Sequence, residues 1–300
     1  MKTKTYLFAL MAMAFTLGSC SDNENGIGSE TSKYITVSTS IGNMTRVATD
    51  ANGGQTFEEG DEISVYAWTG APTVAPETSE RVVNNAINKL TNGSWVSTPQ
   101  MLWKNNRDKH YFIGVYPTAA ISDLSAGEYT FDVNKQTESD LLVAVNPDGL
   151  SYSADAQQTV PLTFTHVMAK LAVNLTYKNQ WGGIPTVEKV VVGNAAKEAT
   201  INYLTKVVTP STTAKEDFSL PEITENTKYV SVIIPQEEVK QLTIVIGGKN
   251  FVYDNGTPFK LESGKITTVN LEVGRDEIKL GDVKITDWED GSTFGGEALN

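Results

Sequence analysis

Lys33-Tyr34-Ile35-Thr36-Val37-Ser38-Thr39-Ser40-Ile41 sets Ile35, Val37, Thr39 and Ile41 in alternation with Tyr34, Thr36, Ser38 and Ser40. A period of two marks a strand with one buried face, because successive side chains of an extended chain point to opposite sides. The period recurs downstream. Ile63, Val65 and Ala67 alternate with Ser64, Tyr66 and Trp68, and residues 111–116, 129–133 and 141–145 carry further strand signals. The connections have turn chemistry at Asn52-Gly53-Gly54, Asn92-Gly93, Asn146-Pro147-Asp148-Gly149 and Asn255-Gly256. No segment sustains a helical stripe, although residues 80–90 and 236–241 admit short helices.

A second series starts at Val160. Residues 160–177 hold two runs, the later one placing Met168, Leu171, Val173 and Leu175 around a strand with an expected irregularity near Ala169-Lys170. Strand signals follow at 187–192, 199–203, 229–234, 242–246, 251–253 and 266–273. Many short strands separated by Gly, Pro and Asn turns predict an all-β chain of β-sandwiches rather than a parallel α/β sheet. The polar stretch 154–159 divides the series, giving an N-terminal sandwich over 33–157 and a C-terminal one over 158–300.

The first 19 residues read differently. Lys2 and Lys4 precede an apolar run, residues 6–17, that is too short to span a bilayer comfortably, and the run ends in Leu17-Gly18-Ser19-Cys20. This predicts a cleaved export signal over 1–19. Cys20 is the only cysteine of the chain and follows small residues, as bacterial lipoprotein processing requires, so its thiol is expected to carry a diacylglyceryl group. Two or three acyl chains hold stably where one, at ~0.8 kcal/mol per buried CH₂, holds marginally. The competing reading is an ordinary secretory signal with a stray cysteine. Residues 20–32 form a polar tether, and without disulfides stability must come from packed cores. The formal net charge of -12 repels nucleic acid and anionic headgroups, which argues against nucleic-acid partners.

Catalytic patterns are thin. His110 and His166 lie far apart in strand-like runs, where packed or surface roles are the commoner ones, and no further cysteine joins them in a zinc site. Asp123, Asp132, Glu138 and Asp140 cluster only loosely, and no calcium loop, phosphate loop or G-x-S-x-G occurs. The expectation is a non-enzymatic protein with no metal and no cofactor. Trp68, Trp95, Trp103, Trp181 and Trp288 suit core packing better than a sugar platform.

These residues converge on a family. The Cys20 processing site, the acidic Ser21-Asp22-Asn23-Glu24-Asn25, the first strand and then Met44-Thr45-Arg46 resemble the start of a fimbrillin-type subunit, one of the lipoprotein pilins and related proteins of Bacteroidetes. Gly60-Asp61-Glu62-Ile63-Ser64-Val65 resembles the family's G-D-x-I-x-V strand, Phe164-Thr165-His166-Val167-Met168-Ala169-Lys170-Leu171 its F-x-H-x-x-A-K-L segment, and Ile285-Thr286-Asp287-Trp288-Glu289-Asp290-Gly291 its C-terminal I-x-x-W-x-x-G. The resemblance implies two tandem transthyretin-like β-sandwich domains, attachment to the outer-membrane surface by lipid, and assembly into adhesive fimbriae with other subunits or copies of the same chain. It also implies cleavage after an arginine beyond the first strand. Arg46, one of four arginines, sits before the Gly/Asn/Thr-rich residues 47–56, so Arg46-Val47 is the candidate bond; a plain solvated loop arginine is the alternative. Loss of the strand carrying Ile35, Val37 and Ile41 would open a groove for a strand from a neighbour.

The donor candidate is 276–300, with Ile278, Leu280, Val283, Ile285 and Trp288 as anchors and Gly281-Asp282 interrupting the alternation. Its alternative role is to complete its own sheet, with Trp288 covering the edge. A second reading of the whole chain, of another class, is a monomeric surface lipoprotein that binds glycan or host protein, and a third is a secreted hydrolase with an unrecognised site.

Overall fold

The computed structural model describes residues 33–42, 57–136, 139–153 and 158–288; Cys20, Arg46, Val47, Glu138 and the stretch 289–300 lie outside them. The alternation of residues 33–41 folds as β1 (Thr36–Ile41), and it is followed by β2 (Glu62–Thr69), β3 (Val83–Thr91), β4 (Ser94–Thr98) and β5 (His110–Tyr116). Then come β6 (Gly127–Thr130), β7 (Leu142–Leu150) and β8 (Thr159–His166). All but β6 join one seven-stranded sheet in the order β1-β8-β7-β5-β2-β3-β4. Its alternation separates two cores. Ile63, Val65, Ala67 and Phe112 face a cluster that includes Ile35, Val37, Leu162 and Phe164, whereas Tyr66, Trp68, Ile113 and Val115 face the main core on the other side. Both faces are therefore buried, and β2 is buried along nearly its whole length.

The rest of the chain forms β9 (Ala169–Tyr177), β10 (Val187–Ala196), β11 (Glu198–Asn202), β12 (Val207–Pro210), β13 (Lys215–Leu220) and β14 (Glu222–Thr224). It ends with β15 (Lys228–Ile233), β16 (Gln236–Ile246), β17 (Lys249–Leu261), β18 (Lys265–Val273) and β19 (Ile278–Asp287). A four-stranded sheet, β13-β10-β16-β17, and a five-stranded sheet, β14-β15-β9-β18-β19, send Val190, Val192 and Ile244 and Leu171, Val173 and Val269 into the same core. This is an all-β sandwich arrangement. The two parts of the chain are tied together by β6, which leaves the first series to pair with β11. Gln136 adds to the tie by donating to the Ser219 carbonyl at 2.8 Å and accepting from the Ser231 hydroxyl.

Several local expectations give way to bulges. Residues 80–90 are not helical: a 3-10 turn, Thr78–Glu80, precedes β3. Val83 and Ala86 mimic a helical spacing because β3 has an extra residue there, with Ala67 and Val65 of β2 as their partners and Asn85 at a φ of 57°. Residues 236–241 open β16, where an extra residue between Gln236 and Val239 turns both inward, and a second register shift before Leu242 places its surplus residues in β17. Asn146-Pro147-Asp148-Gly149 makes its local bond, Gly149 N–H to Asn146 Oδ1 at 2.9 Å, inside a bulged β7 rather than between strands, and β17 likewise runs through residues 255–257. Asn92-Gly93 does turn as expected, both residues at positive φ in a two-residue hairpin between β3 and β4. No irregularity interrupts β9 at Ala169-Lys170, since its register with β15 and β18 is continuous. The residues around the expected division at 157–158 lie between β7 and β8 of one sheet, and the chain changes sheet at Val167-Met168.

His110 is buried on β5. The Lys104 N–H donates to its Nε2 at 3.1 Å, which leaves the ring proton on Nδ1 to be donated to the Asp108 carbonyl at 3.1 Å. Burial holds its pKa below the usual histidine value. The folded state thus disfavours the charged ring, so this contribution to stability is complete above the unfolded value of about 6.5 and is lost as pH falls through it. In urea titrations at about pH 7.5 and about pH 5.5, the midpoint of the wild-type protein should drop on acidification and that of His110→Gln should drop less. Parallel shifts would show that another group carries the dependence.

Candidate functional site

The ends of the strand order mark the places where this fold can exchange partners. β1 runs parallel to β8 at one edge of the seven-stranded sheet, in register from Thr36 with Thr159 to Ile41 with Phe164. Its hydroxyl-bearing face stays on the outside, where Ser40 Oγ donates to Thr163 Oγ1 at 3.2 Å and Thr36 and Thr159 hydroxyls meet at 3.2 Å. Its aliphatic face is sunk, with Ile35 2% and Val37 6% exposed and Ile41 half-buried. The ladder is closed at both ends: Ile35 N–H donates to the Met101 carbonyl at 3.0 Å, and Gly42 N–H to the Phe164 carbonyl at 2.7 Å.

The other side of β1 faces β4, the opposite edge of the same sheet, so the sheet curls around its smaller core. No ladder joins β1 and β4 among the described residues; one side-chain bond does, from Trp95 Nε1 to Thr39 Oγ1 at 3.0 Å. An open cleft of ≈ 530 Å³ remains between them, lined by Val37, Thr39, Ile41, Phe57, Leu90 and Trp95. Phe57 plugs it by edge contacts to Trp95, Tyr116 and Phe164 at ring separations of 5.3, 5.4 and 5.1 Å. The bonds from residues 101–103 and this aromatic plug had no signal in the sequence, because they depend on how far the sheet curls.

At the far end of the chain, β19 is the edge strand of the five-stranded sheet and pairs antiparallel with β18, with a register shift where Gly281-Asp282 breaks the alternation. Its side chains are shallow: Ile278 and Leu280 are half-buried, and Val283 and Ile285 are 37% and 41% exposed. Trp288 is the exception at 3% exposed. Its N–H donates to the Gly264 carbonyl at 3.0 Å, and its ring stacks on His166 with centroids 4.0 Å apart and planes 7° from parallel. Lys170 Nζ lies 4.0 Å from the same ring centre, and Asp140 Oδ2 is 2.8 Å from His166 Nδ1. The segments quoted separately above as F-x-H-x-x-A-K-L and I-x-x-W-x-x-G thus meet in space. That meeting was legible only as two motifs without a reason.

The remaining candidates disperse. His110 packs edge-on against Trp103 at 5.0 Å, while Asp123 and Asp132 cap their own turns. The displaced tyrosines are packing groups: burial raises Tyr66 and Tyr129 and pushes Tyr203 up to about 12. Among the described residues no three His, Cys, Asp or Glu side chains converge as a metal site, and no helix is long and apolar enough to cross a membrane. Trp68 and Trp288 are buried and Trp95, Trp103 and Trp181 half-buried. Arg81 is also buried, its guanidinium donating to the carbonyls of Ile121 and Ser122, each at 2.6 Å, and to Asn84 Oδ1 at 2.9 Å.

A family model described as fimbrillin-like matches residues 45–288, beginning beyond β1 and ending on Trp288. No curated protein matches the chain. Among solved structures, the chain is similar to a candidate cell adhesion protein from Bacteroides ovatus at 18% identity, with a TM-score of 0.64 over 85% of this chain and 98% of that one. Another, from Bacteroides uniformis, is 18% identical with a TM-score of 0.62 over 78% and 93%. A fimbrial protein from Bacteroides vulgatus is 12% identical with a TM-score of 0.51 over 85% and 99%. At such identities the solved structures speak for the fold, while the family match spans most of the chain. With the family model matched over residues 45–288, the chain belongs to the fimbrillin-like family.

Proposed function

We propose that this protein is a lipid-anchored cell-surface subunit that assembles into adhesive fimbriae by strand exchange, with no enzymatic role. The observation that carries the reading is the state of β1: one parallel ladder, the bond from Ile35 to Met101 and two deep aliphatics hold it over an apolar core whose edge it covers together with Phe57 and Trp95. Ile35 and Val37 contribute ~1.5–3 kcal/mol each by burial. That suffices while β1 is tethered to its own chain, where its effective concentration is on the order of millimolar, and much less once a cut between Arg46 and Val47 makes the contact bimolecular. Acylated Cys20 then retains the short N-terminal piece at the membrane while the body leaves. The vacated edge offers unpaired backbone and sockets for alternate side chains, which suits a strand such as 276–288, whose Val283 and Ile285 are exposed in the monomer.

In this reading the N-terminal unit ends with β8 and the C-terminal unit begins with β9, both being the transthyretin-like sandwiches that the family resemblance implies. One observation favours the second reading, a monomeric surface lipoprotein with a glycan or host-protein ligand: β19 completes its own sheet, with Trp288 buried.

Two outcomes follow. An arginine-specific protease acting on folded protein should cut first after Arg46, leaving Val47 as the new N-terminus, because Arg81 is locked by three hydrogen bonds. First cleavage after Arg107 or Arg275, with Arg46 intact, would remove this site. After that cleavage, electron microscopy should show filaments from the whole protein and none from a chain lacking 278–300 whose circular dichroism remains that of a folded β protein. Normal filaments from the truncated chain would exclude the segment as donor.

A further inference from the structure

We propose that Trp288 is a latch holding β19 in its own sheet, and that its seat is built so that loosening β1 loosens the latch. The proposal rests on the strand-exchange reading for its purpose, but not for its test. Trp288 is the one deeply buried side chain from Ile278 to Trp288, so the side-chain hold on this edge strand is concentrated at its last described residue.

The seat draws on both parts of the chain. His166, which stacks on the indole, is the last residue of β8, and Asp140, which fixes the imidazole, lies just ahead of β7. Lys170 comes from β9. The floor is the turn between β17 and β18, where Ser263 Oγ donates to the Val167 carbonyl at 2.9 Å and Gly264 N–H to the Met168 carbonyl at 2.8 Å. Gly264 has a φ of 68°, and a Cβ there would stand 3.1 Å from the His166 carbonyl. The turn is thus pressed against the point where the chain changes sheet.

The same strand borders β1. β8 carries the whole parallel ladder to β1, whose last pair is Ile41 with Phe164, and Gly42 N–H bonds the Phe164 carbonyl. His166 is two residues farther along. While β1 is in place, β8 is paired along its whole length, with β1 from Thr159 to Phe164 and with β7 from Phe164 to His166; without β1, only the three pairs to Leu142–Ala144 hold it, and His166 with Leu142 is the last of them. An edge strand so reduced opens more often, and each opening disturbs the surface on which Trp288 sits. The device would keep the last strand at home in an intact subunit and free it in one that has lost its first strand.

Hydrogen exchange of the full-length, uncleaved protein tests this. Trp288→Ala and His166→Ala should each speed exchange of the β19 amides on the order of tenfold, with β10 and β16 amides unchanged as the control for folding, whereas His166→Phe, which keeps a ring to stack, should stay near the wild-type rate. Ile35→Ala/Val37→Ala, which loosens β1 alone, should speed exchange in β19 as well as in β1, and should add little when Trp288→Ala is already present. Unchanged β19 exchange in Trp288→Ala, or in the Ile35→Ala/Val37→Ala variant, would overturn the proposal. Filament formation scored on the same variants after cleavage at Arg46 is a separate readout: a loosened β19 without filaments supports the latch and counts against strand donation.

Discussion

The parallel ladder between β1 and β8 is the contact on which the rest of the N-terminal half depends. It closes one face of a sheet that is buried on both faces, and it does so with a strand that has a paired neighbour on one side only. Removing an interior strand would destroy the sheet. Removing β1 exposes a trough of aliphatic and aromatic side chains while leaving the remaining six strands paired. The fold thus concentrates its vulnerability at an edge, where exposed backbone groups template another strand.

The second edge follows the opposite design. β19 brings backbone hydrogen bonds and few buried side chains, so its tie to β18 is local and its aliphatics remain available. Its one deeply buried side-chain contact is the stack of Trp288 on His166, which belongs to the sheet of β1. First and last strands, distant in sequence, therefore border the same β8-to-β9 passage. β6 and Gln136 add a second tie between the two parts.

Period-two alternation carried most of the fold: β1 is where its pattern puts it because a half-buried strand has only one way to segregate its side chains, and β2 and β5 send alternate residues into two different cores. Bulges defeated the pattern elsewhere. Val83 with Ala86, and Gln236 with Val239, point inward at an interval of three because an extra residue in the strand shifts the phase, and sequence alone cannot distinguish that from a helical turn. Of the candidate site, the aliphatic face of β1 and the interruption at Gly281-Asp282 were legible, since both are local. The Asp140–His166–Trp288–Lys170 group was not, because it is assembled from three separate segments by tertiary packing.

The central claim, that a neighbour's last strand takes the place of β1, predicts a specific new proximity. Thr163 faces outward on β8 beside Ser40, and Asp282, Lys284 and Thr286 alternate with the aliphatic anchors of β19. Cys20 is the only native cysteine, so a Thr163→Cys chain can be mixed with Asp282→Cys, Lys284→Cys or Thr286→Cys chains, cleaved, assembled and oxidised. The account predicts a disulfide-linked dimer joining the two variant chains in one of these mixtures, formed in the cleaved assembly and not in the uncleaved mixture. Well-formed filaments in which none of the three mixtures yields such a dimer would contradict it.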